Sequence, residues 1–227
     1  MDLVEKAVII SFYMQNCPTE FRDYQQKVVQ KFNPGYQHAQ VQYVGEHGAA
    51  MNQVLNMAKD QGVKVVLFLD IDAIPLHKDA LHYYIKKAAD GFLVGNAQRS
   101  NHIINNQHVY CGSPCVGISV ENWIKIGSPS AKPTTRGDVA EELTYAAEAA
   151  NLPIDIVMPS HHDAPPIRMH WENDIRPYWP LADGMPVYGI GTTYELPGIG
   201  NGLWHMFQSF HPGQKERFIN KCKEVLT

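Results

Sequence analysis

Two aspartates one residue apart, Asp70 and Asp72, follow directly on the apolar run Val65–Leu69 in the stretch VVLFLDIDAIPL. Alternate residues of an extended chain face the same side, so Ile71 can turn to a core while both carboxylates point into a crevice. Paired carboxylates are hard oxygen donors. They suit Mg²⁺ or Mn²⁺, cations that also share their coordination with phosphates. The chemistry predicted here is a divalent cation neutralising a diphosphate. A D-x-D triplet is common by chance; its weight comes from its place, after a strand-like run and before IPL and a helical pattern.

Other stretches carry chemistry less distinctly. In HHDAPP, His161 and His162 are adjacent and point opposite ways if extended, which disfavours a shared metal ion and leaves a substrate-binding loop or surface histidines. HWENDIRPYW sets Trp171, Tyr178 and Trp179 among Glu172, Asp174 and Arg176. Aromatics beside carboxylates can stack on a sugar ring or a base while binding its hydroxyls, and they can equally pack a tail against a sheet. Arg99 and Arg168 could meet a phosphate, though nothing local favours this over surface roles. Tyr188–Gly202 holds five glycines. It is not a dinucleotide-binding pattern; a loop closing over ligand and a set of tight turns both fit it. There is no G-x-S-x-G and no Walker-type G-K-S/T.

The elements that must position these residues alternate. AVIISF (7–12), VQYV (41–44), VKVVLFL (63–69), FLVGN (92–96), CVGISV (115–120) and IDIVM (154–158) read as strands. Helical spacing links Phe21, Tyr24, Val28 and Phe32 within Thr19–Phe32, with Thr19 as cap. It also links Met51, Val54, Leu55 and Ala58; Leu81, Tyr84, Ile85 and Ala88; and Leu143, Ala146, Ala147 and Ala150. A last helix over Gly213–Leu226 presents Phe218, Ile219, Cys222, Val225 and Leu226. A β-α-β-α-β opening predicts an α/β fold with a mostly parallel sheet covered by helices on both faces. From Ser160 to Asn201 the periodicity fades, and an irregular segment of that length reads as a functional surface.

The chain has 227 residues, 44% of them hydrophobic, enough for one substantial core. A net charge of −4 gives no general attraction for polyanions and disfavours a DNA-coating protein. No apolar run approaches membrane-spanning length. The acidic start and the short apolar run after it read as a first strand, not a signal peptide. Cys111 and Cys115 form C-x3-C, poor zinc spacing, so the four cysteines read as reduced thiols of a cytoplasmic protein.

The ordered set HGAAMNQVLNMAKDQGVKVVLFLDIDAIPLHKDAL, YCGSPCVGISVENWIKIG and GDVAEELTYAAEAANLPIDIVMP resembles glycosyltransferases of the GT-A fold, over roughly residues 7–159. The resemblance implies a sugar-nucleotide site at Asn52, Asp70 and Asp72, with Gly48 and Asn52 as the family's Gly-x-x-x-Asn helix start. It also implies a metal ligand near the C-terminus, for which His205, among Leu203, Trp204, Met206 and Phe207, is preferred over His211. It further implies an acidic base near the start of the helix after the acceptor strand: Asp138 first, then Glu142, then Glu141. The family's usual Glu-Asp pair is out of register, because Val139 and Ala140 fall on it when Leu143 is aligned with the family's leucine. The departure leaves inverting and retaining outcomes open.

The expectation is therefore a single glycosyltransferase domain. Residues 1–159 form a donor-binding sheet core, 160–212 an acceptor or lid segment with Trp171, Glu172 and Tyr178 on the acceptor face, and 213–227 a terminal helix. The donor is a nucleotide-diphosphate sugar, a UDP-sugar foremost, and the metal is Mn²⁺ or Mg²⁺. The acceptor is a hydroxyl, with a hydroxymethylated base of phage DNA among the candidates; polysaccharide, lipid-linked and protein acceptors stay open. A metal-dependent nucleotidyltransferase and a non-catalytic carbohydrate- or nucleotide-sugar-binding module are the alternatives.

Overall fold

The computed structural model describes residues 3–100, 108–164, 189–207 and 209–227. Trp171, Glu172, Tyr178 and Arg168 lie outside the described residues. Within them, β1 (Ala7–Tyr13), β2 (Gln37–Gln42), β3 (Val65–Leu69), β5 (Leu93–Gln98), β6 (Tyr110–Ser119) and β7 (Ile154–Val157) form one sheet in the order β2-β1-β3-β6-β5-β7. β1 runs parallel to β2 and β3, and β5 parallel to β7; only β6 is reversed, antiparallel to β3 and β5. The mostly parallel α/β fold expected from the sequence is the fold observed.

Why the central strands read as continuous apolar runs is visible in their alternation. Val8, Ile10 and Phe12 of β1, with Val66 and Phe68 of β3, enter one core beside Met51 and Leu55 of α2 (His47–Asp60) and Leu143 of α5 (Glu141–Ala149). Ala7 and Ile9 of β1, with Leu67 and Leu69 of β3, enter another beside Leu81, Tyr84 and Ile85 of α3 (Ala80–Ala89). A strand buried on both faces has no polar side to show. Each fully buried Leu, Ile or Phe stabilises the fold by about 1.5–3 kcal/mol relative to exposure.

The edge strand β2 begins earlier than VQYV suggests. Its QHAQVQ sequence is half-exposed and has few apolar residues to mark it. A short helix, α4 (Val120–Lys125), follows β6 and is capped by the Ser119 hydroxyl, which accepts a hydrogen bond from Asn122 N.

The segment after Met158 contains more regular structure than its composition announces. β4 (Ala73–Pro75), β8 (Pro159–Ala164), β9 (Ile190–Leu196) and β10 (Gly200–His205) build a second, antiparallel sheet in the order β4-β10-β9-β8. The glycine-rich stretch is thus the β9–β10 hairpin, and Gly198 and Gly200, at φ +75° and +83°, supply the left-handed residues its tight turn needs. Behind this sheet, α1 (Thr19–Phe32) packs on α6 (Gln214–Leu226), with the Phe21 and Phe218 rings stacked 4.4 Å apart. Ile71, Ile74, Trp204 and Met206 complete that third core. The four cysteines are free and buried, and burial pushes the Cys111 and Cys115 thiols up.

Candidate metal and sugar-nucleotide site

Asp70 and Asp72 sit in the turn between β3 and β4, at the carboxyl end of a central strand. The turn closes through a hydrogen bond from Ala73 N to Asp70 O, and Ile71 between the carboxylates is buried as expected, though by a turn and not by the alternation of an extended chain. β4 then leads the chain into the second sheet. There β10 runs antiparallel to β4 with His205 opposite Ala73, and Met206 N donates to Asp72 O. This ladder carries a histidine more than 130 positions away in the chain onto the aspartate pair. His205 Nε2 lies 3.4 Å from Asp72 Oδ1 and 4.0 Å from Asp70 Oδ2.

One ligand atom from each of Asp70, Asp72 and His205 can be chosen so that all lie within 4.8 Å of one another. Two carboxylates and an imidazole are a donor set for a divalent cation of the Mn²⁺ or Mg²⁺ type, so the residues present fit the metal. The electrostatics agree. Loss of water raises the Asp70 pKa, opposed by His47 and added to by the Asp72 charge. Burial alone would push His205 down, but the charge and hydrogen bond of Asp72, with the charge of Asp70, raise it instead. A cation would relieve the repulsion between the two carboxylates.

The reversed strand β6 supplies the next part of the wall. Because it enters at the carboxyl end of β3, its first half lies beside the Asp70–Ala73 turn: Asp70 N donates to Pro114 O, and Ser113 Oγ donates to Asp70 Oδ2 at 3.3 Å. Tyr110, opposite Gln98 of β5, lines the same cavity. This cavity of about 250 Å³ is bounded by Asp70, Asp72 and His205, by His47, Gln98, Tyr110, Ser113 and Phe207, and by Asp138 and Val139. His47, the first residue of α2, stacks on Tyr43 with ring centroids 5.4 Å apart and places Nε2 4.0 Å from Asp70 Oδ1. His47, Ser113 and Tyr110 were not singled out in the sequence. His47 adjoins the Gly48 helix start and Ser113 sits inside CGSPC, but neither position has a spacing that marks it.

The three acidic residues near the start of α5 have different surroundings. Asp138 lines the cavity. Glu141 does not: its side chain is fully buried, accepting from Ser100 Oγ, His108 Nδ1 and Asp138 N. Glu142 does not line it either; it is gripped by the Arg136 guanidinium through two hydrogen bonds and by Thr134 Oγ1, which holds its pKa low. Asp138 is aimed by a turn in which Ala140 adopts φ +68°, a left-handed conformation costly for a residue with a Cβ.

Asn52 is not among the residues that line this cavity. Its side chain accepts from Ala131 N at 2.7 Å and donates to Ser130 Oγ at 2.8 Å. Gly48, one helical turn earlier on the same face, lets this loop come close: a Cβ there would lie 2.3 Å from Ala131 O. Ala131 O in turn accepts from Ala140 N. The Gly-x-x-x-Asn spacing thus anchors the loop that ends at Asp138. His161 and His162 diverge on β8 as expected: His161 approaches Asp163, and His162 Nδ1 lies 2.9 Å from Thr192 Oγ1.

No family model and no curated protein matches the chain. Solved structures do. The Drosophila β-1,4-galactosyltransferase 7, as a variant in complex with manganese, UDP-Gal and xylobiose, aligns at TM-score 0.51 and 13% identity, over 93% of this chain and 79% of its own. The catalytic domain of the same enzyme with xylobiose aligns at TM-score 0.50 and 12% identity, over 93% and 78%. A glycosyltransferase involved in glycosylating the major capsid of PBCV-1 aligns at 0.43 and 11%, over 67% and 80%. The fold of this chain is that of the GT-A glycosyltransferases.

Proposed function

We propose that the protein is a metal-dependent glycosyltransferase that moves a sugar from a nucleotide-diphosphate donor, a UDP-sugar foremost, to a hydroxyl acceptor. The observation that carries this reading is the convergence of Asp70, Asp72 and His205 at the carboxyl end of β3, in one cavity with Asp138. In open α/β sheets, ligands bind outside the carboxyl ends of the strands. The galactosyltransferase of the same fold was captured with manganese and UDP-Gal, which supports both the metal and the donor class.

In this reading Asp70, Asp72 and His205 would hold Mn²⁺ or Mg²⁺, whose charge would stabilise the departing diphosphate. His47, beside Asp70 at the head of α2, faces the same phosphates. The nucleoside lies toward the carboxyl ends of β1 and β2, where Met14, Gln15, Asn16, Tyr43, Val44 and Gly45 enclose a second cavity. Asp138 accepts the proton of the acceptor hydroxyl as that oxygen bonds to the anomeric carbon and the bond to the diphosphate breaks. Trp171, Glu172 and Tyr178 belong to the acceptor face, residues 1–159 to the donor half and 160–212 to the acceptor half. Alanine at Trp171 or Tyr178 is then expected to lower kcat/KM for acceptor about 10–100-fold while sparing donor hydrolysis; equal losses in both would remove them from the acceptor face.

The test is to incubate the protein with Mn²⁺ and a panel of nucleotide sugars and identify the product released. A nucleoside diphosphate, lost in Asp72→Asn by orders of magnitude, is the expected result. Pyrophosphate from a nucleoside triphosphate would mean nucleotidyl transfer, and ligand binding without any donor cleavage would mean a binding module. A hydroxymethylated DNA acceptor would show a steep fall of binding with salt, because phosphate contacts release counterions.

A further inference from the structure

Helix α1 carries a glutamine on its buried face, at a position where an apolar residue would continue the pattern of Phe21, Val28 and Val29. Gln25 is fully buried, and a buried amide is costly unless its hydrogen bonds are made. They are made to the metal turn. Gln25 Nε2 donates to Asp70 O at 2.8 Å and to Ser11 Oγ at 2.9 Å, with Ala73 O at 3.3 Å sharing. Its Oε1 accepts from Gln40 Nε2 at 2.9 Å, and Gln40 also donates to Arg22 O. Backbone carbonyls only accept, so the NH₂ end must face the turn and the amide can be oriented in one way only.

We infer that Gln25 is a positioning residue for the metal site: it clamps both ends of the Asp70–Ala73 turn so that the two carboxylates stay convergent on His205 before a cation arrives. On the other side of the turn, Asp70 N donates to Pro114 O, Met206 N to Asp72 O and Ser113 Oγ to Asp70 Oδ2, whereas Gln25 reaches both ends of the turn, whose two like-charged carboxylates both lie within 4.0 Å of His205 Nε2. Without the clamp the turn can open, and part of the metal's binding energy is spent closing it. Partners of this kind, one layer behind the ligands, typically change metal affinity about 10–100-fold.

The inference rests on Asp70, Asp72 and His205 binding a divalent cation, so its test reads the cation directly. Mn²⁺ binding is followed by electron paramagnetic resonance, without donor or turnover, in the wild type, Gln25→Met and Val28→Ala. Methionine keeps the length and apolar packing but cannot donate. Val28 is fully buried on the same helix and serves as a destabilised control. The expected result is a Kd for Mn²⁺ raised at least about tenfold in Gln25→Met, and within about twofold of wild type in Val28→Ala. Should Gln25→Met fail to fold, Gln40→Met, which removes the support of Gln25 Oε1, is expected to raise Kd about two- to fivefold on the same physical ground. A wild-type Kd in a folded Gln25 or Gln40 variant, or an equal rise in Val28→Ala, overturns the positioning role alone. No Mn²⁺ binding by the wild type overturns the metal site and this inference with it.

Discussion

At the scale of single residues, the site is defined by which carboxylates line its cavity. Glu141 is held by three donors and Glu142 by Arg136 and Thr134, and neither lines the cavity that Asp138 lines. Asp138→Asn keeps the side chain's size and an oxygen able to accept from Val139 N, as the aspartate does now. It removes the capacity to take a proton. The expected outcome is a fall in kcat of about 10²–10⁴-fold with Mn²⁺ and donor affinity within about twofold of wild type. Steady-state kinetics beside isothermal titration with UDP check this. A variant with near-normal kcat would assign the base elsewhere.

At the scale of elements, α2 and α5 place the acid that the strands do not. Gly48→Ala introduces a Cβ 2.3 Å from Ala131 O and 2.6 Å from Lys132 Cα, both backbone atoms that cannot swing aside. Such overpacking costs about 1–3 kcal/mol, which for a chain of this size lowers Tm by roughly 2–10 °C. Since Ala131 O is also held by Ala140 N, the Asp138 turn must move with it. Turnover is expected to drop more than Mn²⁺ affinity does. Equal losses, measured on the folded protein, would separate this loop from catalysis.

The neighbouring His108 makes the α5 junction pH-dependent. Burial opposes its charge, but its hydrogen bond to Glu141 and the charges of Glu148 and Glu141 raise its pKa overall. A raised histidine contributes stability that is complete below its unfolded value of about 6.5 and is lost as pH rises through the folded value. The Tm gap between wild type and His108→Gln should therefore be widest near pH 6 and shrink toward pH 8.5. A gap independent of pH would show that the histidine is held neutral.

At the scale of the whole molecule, two sheets meet at the turn bearing Asp70 and Asp72, and a ligand there ties β3, β4, β6 and β10 together. Mn²⁺ with UDP at about 100 times Kd should stabilise the fold by about 2.7 kcal/mol, roughly 5–10 °C in Tm for a chain of this length. The shift should require both components and vanish in Asp72→Asn; an equal shift from UDP alone would argue against a metal bridging protein and diphosphate. No helix among the described residues is long and apolar enough to cross a membrane.

The strands β1 and β3, the helices α1, α3 and α6, and the D-x-D turn were legible in the sequence. Each is dictated by local facts: an apolar run, a 3.6-residue period, or carboxylates placed where a run ends. Five of the six strands of the large sheet lie parallel for the same reason, since helices between strands must cross over. The edge strand β2 was read only in part, as VQYV, and the sheet of β4, β8, β9 and β10 was hidden, because its pairing is long-range and its residues alternate weakly. That pairing alone carries His205 to Asp72, and the reversal of β6 alone brings Ser113 and Tyr110 beside Asp70. The order Asp138, Glu142, Glu141 rested on the family resemblance alone, since three acids near one helix start differ only in what the fold packs around them. The chain's local chemistry fixed the donors available to a cation; convergence of those donors is a property of hydrogen-bond register between distant segments, which no short stretch of sequence contains.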